Sequence, residues 1–262
     1  MLGLALSNRY LIAQLVKREL ALKYTGSVLG GLWVVVTPLI MLAIYSLFFT
    51  VVIKAKWGGA GFESDAFALL LFAGLLLHSF FAEILTSAPQ LVVSNPNYVK
   101  KAVFPVEVFA IVQTLTAALG LTVNLTLLLL FVTIFQGLPG PEALFSIVIL
   151  VPLLLMALGT AWLLSAMGVF FRDISQMTGL LAAALLFASP IFYPVSALSE
   201  RAQGFLYLNP LTFLIEQLRL VVFAGVLPNF TGLGLFFMGA ALFSYLSYRL
   251  FIRVKVGFAD VL

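Results

Sequence analysis

Few side chains in this sequence are suited to covalent or acid–base chemistry, and their spacing does not bring them together. His78 is the one histidine and cysteine is absent, which excludes multi-histidine metal centres, thiolate sites and disulfides alike. There is no G-x-x-x-x-G-K-S/T phosphate loop, no Gly-x-Ser-x-Gly elbow and no dinucleotide fingerprint. His78 and Glu83 stand five positions apart, so on a helix they do not share a face. A carboxylate inside a membrane is a proton-relay candidate. Glu83 and Glu107, however, sit at the ends of apolar runs, where they can reach the interface. No catalytic constellation results, so any uphill work must draw its energy from elsewhere.

Non-covalent chemistry is better provided for. The chain has 25 Phe, 8 Tyr and 3 Trp. Trp33, Thr37, Met41, Tyr45 and Phe48 recur every three or four residues, which places them on one helix face. Gln113, Thr116, Gly120 and Asn124 do the same further on. Small and polar residues at this spacing serve either helix–helix packing or the wall of a pathway. In the second case the aromatic rings offer platforms for the C–H faces of sugars.

The elements that would hold these residues are set by composition. The 262 residues are 63% hydrophobic and 9% charged, where a soluble domain is about 25% charged. Such a chain matches hydrocarbon better than water. A bilayer core of roughly 30 Å needs about 20 apolar helical residues. Six stretches qualify: 30–53, 66–87, 106–135, 143–170, 177–193 and 232–252. They lack the alternation of a membrane barrel, so an all-α membrane protein of six transmembrane helices in a single 1–262 unit is predicted. With both termini inside, the interior side receives Arg9, Lys17, Arg18, Lys23, Lys100, Lys101, Arg172, Arg249, Arg253 and Lys255. The exterior receives only Lys54, Lys56, Arg201 and Arg219. No cleavable-signal pattern opens the sequence, which is expected to be part of the mature protein.

Three segments lie outside the spans. Residues 7–25 predict an amphipathic helix on the membrane surface, with Leu11, Ile12, Leu15, Val16, Leu20 and Leu22 on one half and Gln14, Lys17 and Arg18 opposite. Glu19 falls within the apolar arc. Residues 88–105 form the longest interior loop, punctuated by Pro89, Pro96 and Pro105, with room for about two helical turns. Residues 195–231 hold two apolar pieces, 199–208 and 211–224, parted by Asn209-Pro210 and too short to span singly. A pair of external re-entrant helices between spans five and six is expected there.

Several of these segments together resemble ABC-2 type permeases. The resemblance rests on Arg18-Glu19-Leu20-Ala21-Leu22-Lys23-Tyr24, Ser27-Val28-Leu29-Gly30, Leu32-Trp33 and Thr37-Pro38-Leu39 at the first span. It continues with Phe171-Arg172-Asp173-Ile174, Ser189-Pro190-Ile191-Phe192-Tyr193-Pro194 and Leu208-Asn209-Pro210, in order over essentially the whole chain. The branch it is most similar to exports O-antigen, capsule or teichoic acid chains.

That resemblance implies a half-transporter in the bacterial inner membrane that pairs as a homodimer and binds a cytosolic ABC ATPase. ATP and magnesium would belong to that partner, with no cofactor in this chain and no nucleic-acid partner. The 88–103 loop would be the coupling loop, with Arg18, Glu19, Asn95, Asn97, Tyr98, Lys100, Lys101, Arg172 and Asp173 as candidate motor contacts. Trp33, Tyr45, Phe48, Phe187, Phe192 and Tyr193 would line the path of an undecaprenyl-linked polysaccharide through the membrane lipid. Asn209, Pro210, Glu216 and Arg219 would belong to the external gate. The competing readings are an ABC-2 permease for a drug or small lipid, an ion-coupled carrier or channel acting through Glu83 or Glu107, and a scaffold that moves nothing.

Overall fold

A computed structural model describes residues 2–48, 67–100 and 104–262, and every regular element among them is helical. Helix α1 (Leu2–Ser7) breaks at Asn8, whose side-chain amide donates to Leu4 O at 3.0 Å, and α2 (Arg9–Tyr24) follows. The amphipathic prediction for 7–25 holds in part. Ile12 and Leu15 are buried against the later helix α7 (Val108–Gln136), and Leu11, Val16 and Leu20 are half-buried. Leu22 is exposed instead, and Glu19 escapes the apolar arc to face outward.

Helix α3 (Trp33–Ser46) carries Pro38 and is entered through Gly30 at φ 51°, a backbone setting that side chains with a Cβ resist. Next comes α4 (Phe67–Ser87), apolar on all sides, as suits a helix with neighbours all round. In its most apolar window 78% of residues are buried, against 22% in α7 and in the last long helix, α12 (Phe230–Val254). Thus α4 is the centre of the bundle, and much of α7 and α12 faces outward.

Two one-turn helices, α5 (Gln90–Val93) and α6 (Pro96–Val99), occupy the predicted coupling loop. After α7, which stops at Gly137 with φ 95°, come α8 (Ser146–Phe170), α9 (Ile174–Phe187), α10 (Glu200–Leu206) and α11 (Pro210–Phe223). A 3-10 turn at Lys255–Gly257 joins α12 to α13 (Phe258–Val261).

The α8–α12 pair shows how small residues draw spans together. Ala240, Ser244, Ser247 and Phe251, spaced by four, three and four, are buried on α12. They face α8 at Gly159, where an added Cβ would lie 2.8 Å from Ser244 Cα. Backbones this close gain dispersion contacts that a lipid-filled gap would not give.

Four helical stretches among the described residues are long and apolar enough to cross a membrane: Phe67–Ser87, Val108–Gln136, Pro141–Phe170 and Phe230–Val261. A fifth arises if α10 and α11, bent by 100°, form one broken span. The predicted stretches 30–53 and 177–193 therefore do not emerge as full-length helices. The first is an apolar helix over Gly30–Tyr45 whose continuation past residue 48 lies outside the described residues. The second begins earlier, at Ile174, and stops at Phe187. It cannot reach 193, because proline at 190 drives the residue before it out of the helical region.

Candidate functional site

The face predicted on α3 is a wall. Trp33, Thr37, Met41 and Tyr45 border two adjoining cavities of about 330 and 220 Å³, which share Thr37, Pro38, Ser79 and Asn124. Helices α4 and α7 supply the opposite side. Of the polar face predicted on α7, Gly120 and Asn124 reach this cleft, whereas Gln113 donates to Ser87 Oγ at 2.8 Å. Among the described residues neither Asn124 Oδ1 nor Thr116 Oγ1, both buried, has a hydrogen-bond partner.

One end of the cleft holds Trp33, Lys23 and Glu83, with Lys23 Nζ 2.8 Å from Glu83 Oε1. That pair is substantially exposed and worth well under ~1 kcal/mol. At the other end the Tyr45 ring lies 6.1 Å from Phe192, which lies 6.0 Å from Phe187. Tyr193 OH donates to Phe187 O at 2.7 Å. The structure thus gathers Tyr45, Phe187, Phe192 and Tyr193 at one mouth and leaves Trp33 at the other. Phe48 is exposed just past the end of α3.

The Asn209-Pro210 break is tied to that same aromatic mouth. Asn209 Oδ1 accepts from Leu211 N at 3.0 Å and so caps α11, while Pro210 occupies the first helical position, where no N–H is needed. The Asn209 amide nitrogen donates to Ala188 O (3.0 Å) and Ser189 Oγ (2.8 Å), just past the end of α9. Glu216 accepts from Tyr207 OH at 2.8 Å across the bend. Asn209→Ala is expected to cost about 2 kcal/mol, half from the lost cap and half from the lost tie to α9. Asn209→Asp keeps the cap and loses the tie, so its thermal midpoint in detergent should fall between the two. A midpoint equal to wild type would show that the tie contributes nothing.

Arg219, counted among the exterior cations and the gate candidates, is 3% exposed. Its Nε and Nη2 donate to Leu70 O at 3.0 and 2.8 Å, its Nη1 to Pro190 O, and Nη2 also to Ile191 O at 3.2 Å. One guanidinium therefore joins the first turn of α4, the segment after α9, and α11. Gly74 makes room for it: a Cβ there would lie 3.0 Å from Nη2 and 3.2 Å from Ile191 Cγ1.

At the opposite end of the bundle, Arg18 Nη1 donates to Tyr98 OH at 3.1 Å, joining α2 to α6. Tyr98, Phe104 and Phe109 form an aromatic knot, with centroids 4.6 Å apart for the first pair and 5.3 Å for the second. Asn95 donates to Leu91 O at 3.0 Å and so folds the turn between α5 and α6. Gln90 Nε2 reaches Ser175 Oγ at 2.8 Å, linking this loop to the start of α9. Glu19, Asn97, Lys100, Arg172 and Asp173 are exposed on this face, and Lys101 lies outside the described residues. Sequence reasoning missed the partners that hold the loop from within. Phe104 and Phe109 gave no signal beyond being aromatic. Gly168, against Pro89, was one glycine among 20.

Comparison with known proteins bears on the arrangement as a whole. The profile of the family described as ABC-2 type transporter matches residues 10–223, a segment that contains every candidate path, motor-contact and gate residue above. A protein named O-antigen export system permease protein RfbA, from Klebsiella pneumoniae, is 23% identical over 253 residues, covering 96% of this chain and 95% of that one. A protein of the same name from Myxococcus xanthus is 28% identical over 224 residues, covering 84% and 83%.

Proposed function

Because the chain belongs to the ABC-2 type transporter family, we propose that it is the permease of an exporter that moves lipid-linked polysaccharide of the O-antigen kind across the bacterial inner membrane. As a member it is a non-catalytic transmembrane subunit, binds no cofactor itself and works with an ABC ATPase. The finer reading is a homodimer with six spans and both termini cytoplasmic. In it α3 continues past residue 48 as the first span, α9 is the fifth and α10–α11 dip in from outside.

The observation that carries the substrate class is the cleft. It is lined from Trp33 through Thr37, Ser79 and Asn124 to Tyr45, whose ring neighbours Phe192, itself beside Phe187. Aromatic faces interleaved with hydroxyl and amide groups suit a ligand with both C–H faces and hydroxyls. They hold it without requiring one sugar order, as a polymer in transit demands. The near full-length similarity to two proteins named as O-antigen permeases supports the same reading.

A small-lipid substrate is the second reading. It is favoured by a separate apolar groove of about 580 Å³ between α4, α8, α9 and α12, bordered by Phe81, Leu85, Met156, Leu181 and Phe243.

Proteoliposomes containing this chain, its ATPase partner and lipid-linked glycan provide the test. ATP-dependent movement of glycan is expected, with no ATP hydrolysis by the permease alone. Transport without any nucleotide-binding partner, or transport of a glycan-free lipid only, would overturn the proposal.

A further inference from the structure

The end of the chain folds back under the loop that faces the motor. Helix α13 touches α6 and α8, with Cα atoms of α6 and α13 within 8 Å of one another. Phe258 is fully buried, its ring 5.8 Å from Phe170 and 5.4 Å from Phe251. Three residues earlier, Lys255 Nζ lies 2.9 Å from Glu107 Oε2. Glu107 is buried at the point where the loop ends and α7 begins, and its carbonyl accepts from the fully buried Trp162 Nε1 at 3.0 Å.

The loop is therefore gripped from two sides. Helix α2 holds α6 through Arg18 and Tyr98; the tail holds the root of α7 through Lys255, lies beside α6, and is anchored in the core by Phe258 against Phe170 and Phe251. A loop of two one-turn helices has little stiffness of its own, because each turn lacks the length to propagate. Stiffness must come from what braces it.

We infer that the C-terminal tail, residues 255–262, is a positioning element of the coupling loop, Lys255 and Phe258 fixing it so that loop and tail move as one body when the ATPase pushes. The inference rests on the ATPase-driven reading above and adds the tail to it. Without the brace, force from the motor bends the loop instead of tilting α4 and α7, and hydrolysis continues without transport.

The test uses the full permease–ATPase complex in proteoliposomes. Lys255→Met should lower glycan exported per ATP hydrolysed at least ~5-fold, in the range of ordinary coupling energies. Lys255→Arg, which can remake the ion pair, should restore it. A second arm does not depend on how Lys255→Met folds. The chain has no cysteine, so Ser94→Cys with Asp260→Cys can be bridged by a bis-maleimide without background labelling of the permease itself. If loop and tail travel together, the bridged complex exports at the unbridged rate. Arrest by the bridge, or unchanged coupling in Lys255→Met, overturns the inference. An unmodified complex that shows no ATP-dependent export would instead remove the transport reading, so the two failures are separable.

Discussion

Gly168→Ala is expected to destabilise the protein by about 2–3 kcal/mol and to abolish most export. The added methyl would fall inside contact distance of the Pro89 carbonyl oxygen and 2.8 Å from Pro89 C and Cα. These are backbone atoms at the head of the 88–105 loop, and they cannot swing aside as a side chain would. The sign is what makes the result diagnostic. Glycine to alanine within a helix ordinarily gains up to ~1 kcal/mol, because alanine loses less backbone freedom. Gly234→Ala on α12, where a Cβ meets nothing within 4 Å, should follow that ordinary rule. Thermal midpoints of the two variants in detergent, with export measured alongside, check the contrast. Equal midpoints would mean that the α5–α8 contact is loose enough to absorb a methyl group.

The second large effect is at Arg219. Arg219→Leu is expected to cost about 2–5 kcal/mol, because buried main-chain carbonyls left unpaired cost about 1–3 kcal/mol each. The carbonyl of Leu70 sits in a helix and keeps its helical partner, but those of Pro190 and Ile191 lie in non-helical chain. With no donor in reach they would be left unpaired. Arg219→Lys should recover only part of the loss, because an ammonium is a single point and cannot span three carbonyl sites as a planar fork does. The fraction of monodisperse protein surviving a heat step distinguishes these variants. A leucine variant as stable as wild type would show that the segment after α9 does not depend on the guanidinium.

What was legible in the sequence follows from what hydrophobicity encodes. Length and apolarity revealed α4, α7, α8 and α12, because lipid imposes the same demand on every spanning helix. The ladder Trp33–Tyr45 was legible from spacing alone, and the structure turns that face to a cleft. The Asn209-Pro210 break could be foreseen because capping and proline chemistry are local. The burial of Arg219 was not legible, because charge counting assigns a side of the membrane and says nothing of chain folding back over a guanidinium. Nor does hydropathy say which helix meets which, so the Tyr45–Phe192 contact, the Gly168–Pro89 approach and the tail against α6 came only with the tertiary structure. The end of the 177–193 stretch failed differently: apolarity continues through residues whose backbone, next to proline, has stopped being helical.

The guanidinium of Arg219 donates to the main-chain oxygens of Leu70, Pro190 and Ile191, and every residue type has one. Substitution at positions 70, 190 or 191 therefore need not be answered by a change at 219. Paired-substitution statistics would find no trace of this contact, although its removal carries one of the largest penalties expected in the molecule. A homologue could replace all three acceptor residues and keep the grip, provided that the backbone course and the small residue at 74 persist.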